Sequence, residues 1–132
     1  MPENDVASAA LSEATVFIKP KRARPFFGRH PWVLESAILR VDGKPASGAV
    51  VDVVTHDGNF IARGLWNASS RIRIRLYTFV ENEALDETFW RTRIENAISL
   101  RQHFGLHSEK GGCRLINSEG DSLSGIIVDQ YG

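Results

Sequence analysis

Val50-Val51-Asp52-Val53-Val54-Thr55-His56-Asp57-Gly58-Asn59, continuing as Phe60-Ile61-Ala62-Arg63-Gly64-Leu65-Trp66, decides the fold. Two apolar runs flank an Asp-Gly pair, and glycine supplies the positive φ that a tight reversal needs, so this stretch reads as a β-hairpin. Beyond the polar connection Asn67-Ala68-Ser69-Ser70, the residues alternate, with Arg71, Arg73 and Arg75 on one side and Ile72, Ile74 and Leu76 on the other. Successive side chains of a strand point to opposite faces, so this is a half-buried strand with its arginines on one surface. Toward the N-terminus, Trp32-Val33-Leu34, Ala37-Ile38-Leu39-Arg40-Val41 and Val16-Phe17-Ile18 are further strand material, and Asp42-Gly43-Lys44-Pro45 is a turn. Pro25 is placed to open a short helix that Gly28 and Pro31 end. Five or six short strands with one short helix over residues 14–80 predict a small barrel.

Toward the C-terminus the period changes. Leu85, Phe89, Ile94, Ala97, Ile98 and Phe104 mark one broad face of an amphipathic helix from Ala84 to Phe104. Glu83, Asp86 and Glu87 stand where the helix dipole favours acids, and Gly105 is placed as the capping glycine with Leu106 as its apolar companion. After the polar loop His107 to Gly112, Ile126-Ile127-Val128 reads as a strand and Asp129-Gln130-Tyr131-Gly132 as the turn of a hairpin. A return strand is expected beyond Gly132, so the chain reads as the N-terminal part of a longer protein.

The 132 residues carry 16 Lys+Arg against 16 Asp+Glu, a formal charge of zero. A nucleic-acid binder normally shows a basic excess, and the zero conceals one. Residues 1–13 sum to −3, residues 14–80 to +7 and residues 81–132 to −4. Such segregation is a functional clue. The acidic, Ala/Ser-rich leader over residues 1–13 reads as disordered, and without a basic n-region it is no secretory signal. No apolar run is long enough to cross a bilayer. The single cysteine, Cys113, excludes an internal disulfide or a multi-Cys zinc site and fits a reducing, cytoplasmic setting.

Lys19-Pro20 through His30-Pro31-Trp32-Val33, together with Ile61-Ala62-Arg63-Gly64 and Arg71-Ile72-Arg73-Ile74-Arg75, resembles a PUA domain, the RNA-binding pseudo-barrel. A PUA domain, an amphipathic helix and then Arg114-Leu115-Ile116-Asn117-Ser118-Glu119-Gly120-Asp121-Ser122-Leu123-Ser124-Gly125-Ile126-Ile127-Val128-Asp129-Gln130-Tyr131-Gly132 resembles one family in particular. These are the S-adenosylmethionine-dependent large-subunit rRNA methyltransferases that make 5-methylcytosine, with their relatives. Ser118, Ser122 and Ser124 depart from it, standing where the family commonly has Gly, Gly and Pro. The resemblance implies a mixed α+β fold: a PUA-type barrel over residues 14–80, then over residues 81–132 a helix and an incomplete α+β domain preceding a Rossmann-like catalytic domain. It implies structured RNA, with rRNA foremost, as partner, and S-adenosylmethionine as cofactor of the full-length parent but none here. A homodimer or a protein-interaction module is the alternative.

Lys19, Lys21, Arg22, Arg24 and Arg29, beside Gly28, make a dense basic cluster suited to phosphate contacts, and the resemblance places the corresponding helix and glycine loop in the RNA groove. Arg71 and Arg73, with Arg75 as a further tooth, form a comb near the phosphate spacing of an extended strand, and Arg63 on the neighbouring strand is a further RNA candidate. Among the aromatics, Trp66 is expected exposed and able to stack a base, and Trp32 and one of Phe26 and Phe27 are expected in the core. His30, His56, His103 and His107 lack metal-ligand spacing. Cys113 is expected as a small core residue, not a nucleophile, and no catalytic residue is assigned.

Overall fold

The structure is a computed structural model that describes residues 11–107 and 110–132, so the expected leader lies outside the described residues as far as residue 10. Strands β1 (Ala14–Ile18), β2 (Trp32–Leu34), β3 (Ile38–Asp42), β4 (Val50–Val54), β5 (Phe60–Trp66) and β6 (Ile72–Thr78) form one sheet in the order β2-β6-β5-β4-β1-β3. Only β1 and β4 run parallel, with Val16 opposite Val53; every other neighbouring pair is antiparallel. Gly58, with φ of 92°, closes the β4–β5 turn as its Asp-Gly pair requires. The four-residue helix α1 (Arg24–Phe27) has Pro25 in its first turn and ends at Gly28.

Alternation places Val16, Ile18, Val33, Val51, Val53, Ile61, Ile74 and Leu76 in one apolar core, which Phe26 of α1 joins from outside the sheet. Register shifts between Phe17 and Ile18, Val33 and Leu34, Val53 and Val54, and Arg63 and Gly64 curl the sheet, because an extra residue on one strand bends it and raises its twist. Gly64 marks the tightest approach, where an added Cβ would stand 2.1 Å from the Arg75 carbonyl oxygen. The mixed α+β, PUA-type fold expected from the sequence is the one observed.

A second unit follows. Helix α2 runs Glu87–His103 and begins three residues later than its apolar pattern suggests, because the Asp86 side chain caps it, accepting from the Phe89 backbone N–H at 2.8 Å. At its other end Gly105 takes φ of 69°, with its N–H donating to the Gln102 carbonyl and that of Leu106 to Arg101, the reciprocal pair of a Schellman cap. Strands β7 (Cys113–Asn117) and β8 (Ile127–Gln130) pair antiparallel, and Ala97, Ile116 and Leu123 make a small core with Trp90, Leu115 and Ile126 against it. Three expectations change here. Asp129 and Gln130 belong to a strand and not a turn, since β8 pairs backward with β7. Cys113 is half-buried at the start of β7, not in a core. Of the expected apolar face of α2, Phe89 and Ala97 are buried while Ile94 and Phe104 stay exposed.

The turn between β7 and β8 explains the serine departures. Ser118 and Ser122 hold φ of 46° and 58°, the left-handed region that glycine occupies without cost. Ser118 gains something in return, since its Oγ accepts from the Gly125 N–H at 2.8 Å. Ser122→Gly is therefore expected to stabilise the chain by about 1 kcal/mol in urea unfolding. Gly64→Ala is expected to cost about 3 kcal/mol, because its methyl group collides with backbone and not with a yielding side chain.

Candidate nucleic-acid interface

Eleven basic residues meet only four acids over residues 14–80, and the fold spends those acids selectively. Glu35 pairs with Arg73, Asp42 with Arg40, and Asp52 with Arg63. Lys19, Lys21, Arg22, Arg24 and Arg29 are all exposed, and among the described residues none of them is in an ion pair. The positive excess of the barrel thus collects on the segment from the end of β1, through α1, to the loop before β2. Two of these cations hold unusual backbone, Lys21 at φ of 68° and Arg29 at 65°, on either side of α1. Strain of this kind costs of order 1 kcal/mol per residue and persists only where the surroundings impose it. Here the Arg29 N–H donates to the Phe26 carbonyl and the His30 N–H to that of Pro25, folding the loop back on the helix.

Arg63 is a correction. Its side chain is 2% exposed, and all three of its nitrogens are committed: Nε to Asp52 at 2.7 Å, Nη2 to the Glu81 carbonyl at 2.8 Å and Nη1 to the Glu83 carbonyl. It reaches no surface and leaves the set of candidate RNA contacts. The comb is also partly used up. Arg73 is held by Glu35 and the Ala68 carbonyl, and Arg75 by Glu119 and Ser124, so only Arg71, ahead of β6, stands exposed without an ion pair among the described residues. Gly28 needs no left-handed backbone, but a Cβ there would sit 3.3 Å from the Pro25 carbonyl oxygen, so its smallness keeps the loop close to α1.

The expectations for the two tryptophans reverse, while one of the Phe pair is in the core as expected. Trp66 packs against the barrel core, whereas Trp32 is 36% exposed and Phe27 is 60% exposed; Phe26 is the buried member of its pair. Trp32 sits on edge strand β2, which has β6 on only one side, and the packing that decides its exposure is not local in sequence. Beside it lies a shallow pocket of ≈ 260 Å³ lined by Lys21, Arg22, Pro25, Phe26, His30 and Trp32 among others. Sequence reasoning assigned no role to Glu119, which lies in the turn between β7 and β8. Its Oε1 accepts from Trp32 Nε1 at 2.9 Å, from Ser124 Oγ at 2.9 Å and from Arg75 Nη1 at 3.3 Å, tying the second unit to the exposed edge of the barrel. Tyr77 adds to this seam by donating to the Ser124 carbonyl at 2.7 Å and meeting Trp90 at a centroid distance of 4.8 Å. Hydrogen bonding by the Ser118 side chain, opposed by burial and reinforced by its own backbone N–H, Trp32 and Ser124, holds Glu119 well below its ordinary 4.5, at about 2.

Among the described residues no strand leads through a Gly-rich loop into a helix of the kind that cradles a nucleotide cofactor.

Residues 16–79 match the family model described as a PUA-like domain. The chain is 43% identical over 116 residues to a ribosomal RNA large subunit methyltransferase I from Shewanella amazonensis, covering 86% of this chain and 29% of that protein. It is 37% identical over 117 residues to the protein of the same name from Tolumonas auensis, covering 89% of this chain and 30% of that one. The chain thus spans under a third of the length of these curated relatives. Among solved structures, a candidate SAM-dependent methyltransferase from Streptococcus mutans superposes with a TM-score of 0.70 at 17% identity, covering 89% of this chain and 30% of that one. A candidate methyltransferase solved with SAH gives 0.66 at 20%, with the same coverage, and both likenesses are of fold.

Two outcomes follow from the geometry. Arg63→Met is expected to lower stability by about 3 kcal/mol or more, read by urea unfolding, because it strands Asp52 and two carbonyls without a donor. Glu119 has a folded pKa below its unfolded one, so its contribution is complete above pH 4.5 and is lost as pH falls toward 2. The stability gap between the native chain and Glu119→Gln is expected at neutral pH and to shrink across that window.

Proposed function

We propose that the PUA-like domain of residues 16–79 is the RNA-holding part of an S-adenosylmethionine-dependent rRNA methyltransferase. It grips structured RNA by its phosphates and presents it to a methyltransferase catalytic domain. The observation that carries this reading is the partition of cations: the arginines of the sheet are paired within the fold, while Lys19, Lys21, Arg22, Arg24 and Arg29 stand exposed and outside every ion pair among the described residues. A protein that needed only solubility would gain nothing from concentrating like charge on so short a segment, where self-repulsion works against it; a polyanion relieves that repulsion. The curated relatives carry rRNA large-subunit methylation in their names, which supports rRNA as the RNA in question. Large-subunit cytosine, modified at carbon 5, is the base this reading assigns, in a bacterial cytoplasm. S-adenosylmethionine belongs to the catalytic domain in the same reading, and this chain contributes no catalytic residue. Arg71 joins the phosphate contacts from the neighbouring strand, and Arg73 and Arg75 support the surface from within.

A second reading, association between copies of the chain, has one observation in its favour: Leu100, Phe104, Leu106, Ile127 and Tyr131 are exposed apolar residues of the second unit. Sedimentation at rising concentration separates it, since it needs self-association and no RNA.

A salt series tests the first reading. With an rRNA hairpin as ligand, log K is expected to fall linearly with log salt, by about 0.7–0.9 per phosphate contact. Arg22→Glu, Arg24→Glu and Arg29→Glu together are expected to abolish binding while the thermal midpoint holds, because none of the three is in an ion pair among the described residues. Unchanged affinity in that triple variant overturns this face as the RNA site.

A further inference from the structure

The pocket beside Trp32 is more than part of a charged surface. We propose that it receives a single unpaired nucleotide of the RNA, with the base lying against Trp32 and the adjoining phosphate on Lys21 and Arg22. This rests on the RNA-binding reading above and sharpens it, from phosphate grip to recognition of a splayed base.

The lining has two chemistries in the right order. Pro25, Phe26, Trp32 and Leu34 supply apolar surface, and Lys21 and Arg22, both exposed and in no ion pair among the described residues, stand with them around the same ≈ 260 Å³ space. A flat, hydrophobic base carrying an anionic phosphate fits that combination; a stacked duplex does not, since its bases are not available to a side pocket. The left-handed backbone of Lys21 holds this cation at the pocket's edge in a conformation that a non-glycine residue adopts at a cost.

The Trp32 ring is set in advance. Its Nε1 donates to Glu119 at 2.9 Å, the Arg75 guanidinium lies 5.8 Å from its ring centre, and the His30 ring stands at 84° to it with centroids 6.0 Å apart. An indole that keeps 36% of its surface in water while three neighbours fix its plane is prepared to stack, because little rotational freedom remains to be lost on binding. His30 adds a directional group. Its Nδ1 accepts from the Trp32 backbone N–H at 3.2 Å, so in the neutral ring the proton is on Nε2, a donor suited to an acceptor on a base edge. His30 meets Phe26 nearly perpendicular as well, so the three rings Phe26, His30 and Trp32 form one stepped series along the pocket.

Three probe RNAs test the proposal by fluorescence anisotropy against this chain: a hairpin with one bulged uridine, the same hairpin fully paired, and the same hairpin with an abasic residue at the bulge. The bulged RNA is expected to bind about tenfold tighter than the other two, the size of one base–aromatic stack. Trp32→Ala is expected to remove that difference without altering the salt slope, since the phosphate contacts remain. A bulged 2-aminopurine supplies a second measurement independent of any variant: its fluorescence is expected to be quenched by the native chain and not by Trp32→Ala. Equal, salt-sensitive binding of all three RNAs overturns the pocket and leaves the RNA reading standing. Absence of salt-sensitive binding to any of them overturns both.

Discussion

Burial of the Arg63 guanidinium is the constraint on which the rest of the molecule depends. A cation removed from water is tolerated only when it is paired and hydrogen-bonded, and each of the three Arg63 nitrogens has an acceptor: one carboxylate on β4 and two carbonyls of the chain leaving β6. Those carbonyls belong to Glu81 and Glu83, and Thr78 Oγ1 donates to the Glu83 carboxylate in turn, so the exit from the barrel is stapled to its middle strands. From that fixed exit, Asp86 starts α2, and α2 carries Trp90 to Tyr77. The second unit is thereby brought back against the barrel edge, where Glu119 meets Trp32.

The same logic of satisfied charge sorts the arginines into two kinds. Arg63, Arg73, Arg75 and Arg101 are structural cations: Arg101, for example, is doubly bonded to Asp121, which holds that carboxyl below its ordinary range. The cations around α1 have no such employment. Exposed ion pairs contribute little to stability, but five neighbouring cations outside every ion pair among the described residues are a concentration of like charge that the fold itself does not use. In the proposed reading a polyanionic ligand uses it, and the match of residues 16–79 to a PUA-like domain supports that reading.

Much of the fold was legible because it is written locally. Short apolar, β-prone runs marked the barrel strands, with strict period-two alternation at β6, Asp57-Gly58 marked the hairpin and Pro25 the short helix, since each depends on residues a few positions apart. What failed was long-range. Arg63 looks like any strand arginine until Asp52, eleven residues earlier, and Glu81 and Glu83, about twenty later, are brought to it. Trp32 and Trp66 exchanged roles because exposure follows from edge position in the sheet, which strand order sets and no dipeptide records. The pairing of β8 with β7 was missed for a similar reason: Gly120 and Gly125 mark a turn between them, but a connection with left-handed serines at 118 and 122 does not record which strand the chain returns to. The basic cluster, by contrast, was visible as composition, and only the structure could show that it lies outside every ion pair among the described residues.

Mapping where RNA touches the chain tests the central claim most directly. In a backbone-amide NMR titration with an rRNA hairpin, the account predicts salt-dependent shifts concentrated on residues 19–32, extending to Arg71, with the amides of Arg63 and Arg101 left in place. Shifts centred on α2 and the β7–β8 hairpin, with residues 19–32 undisturbed, would contradict it.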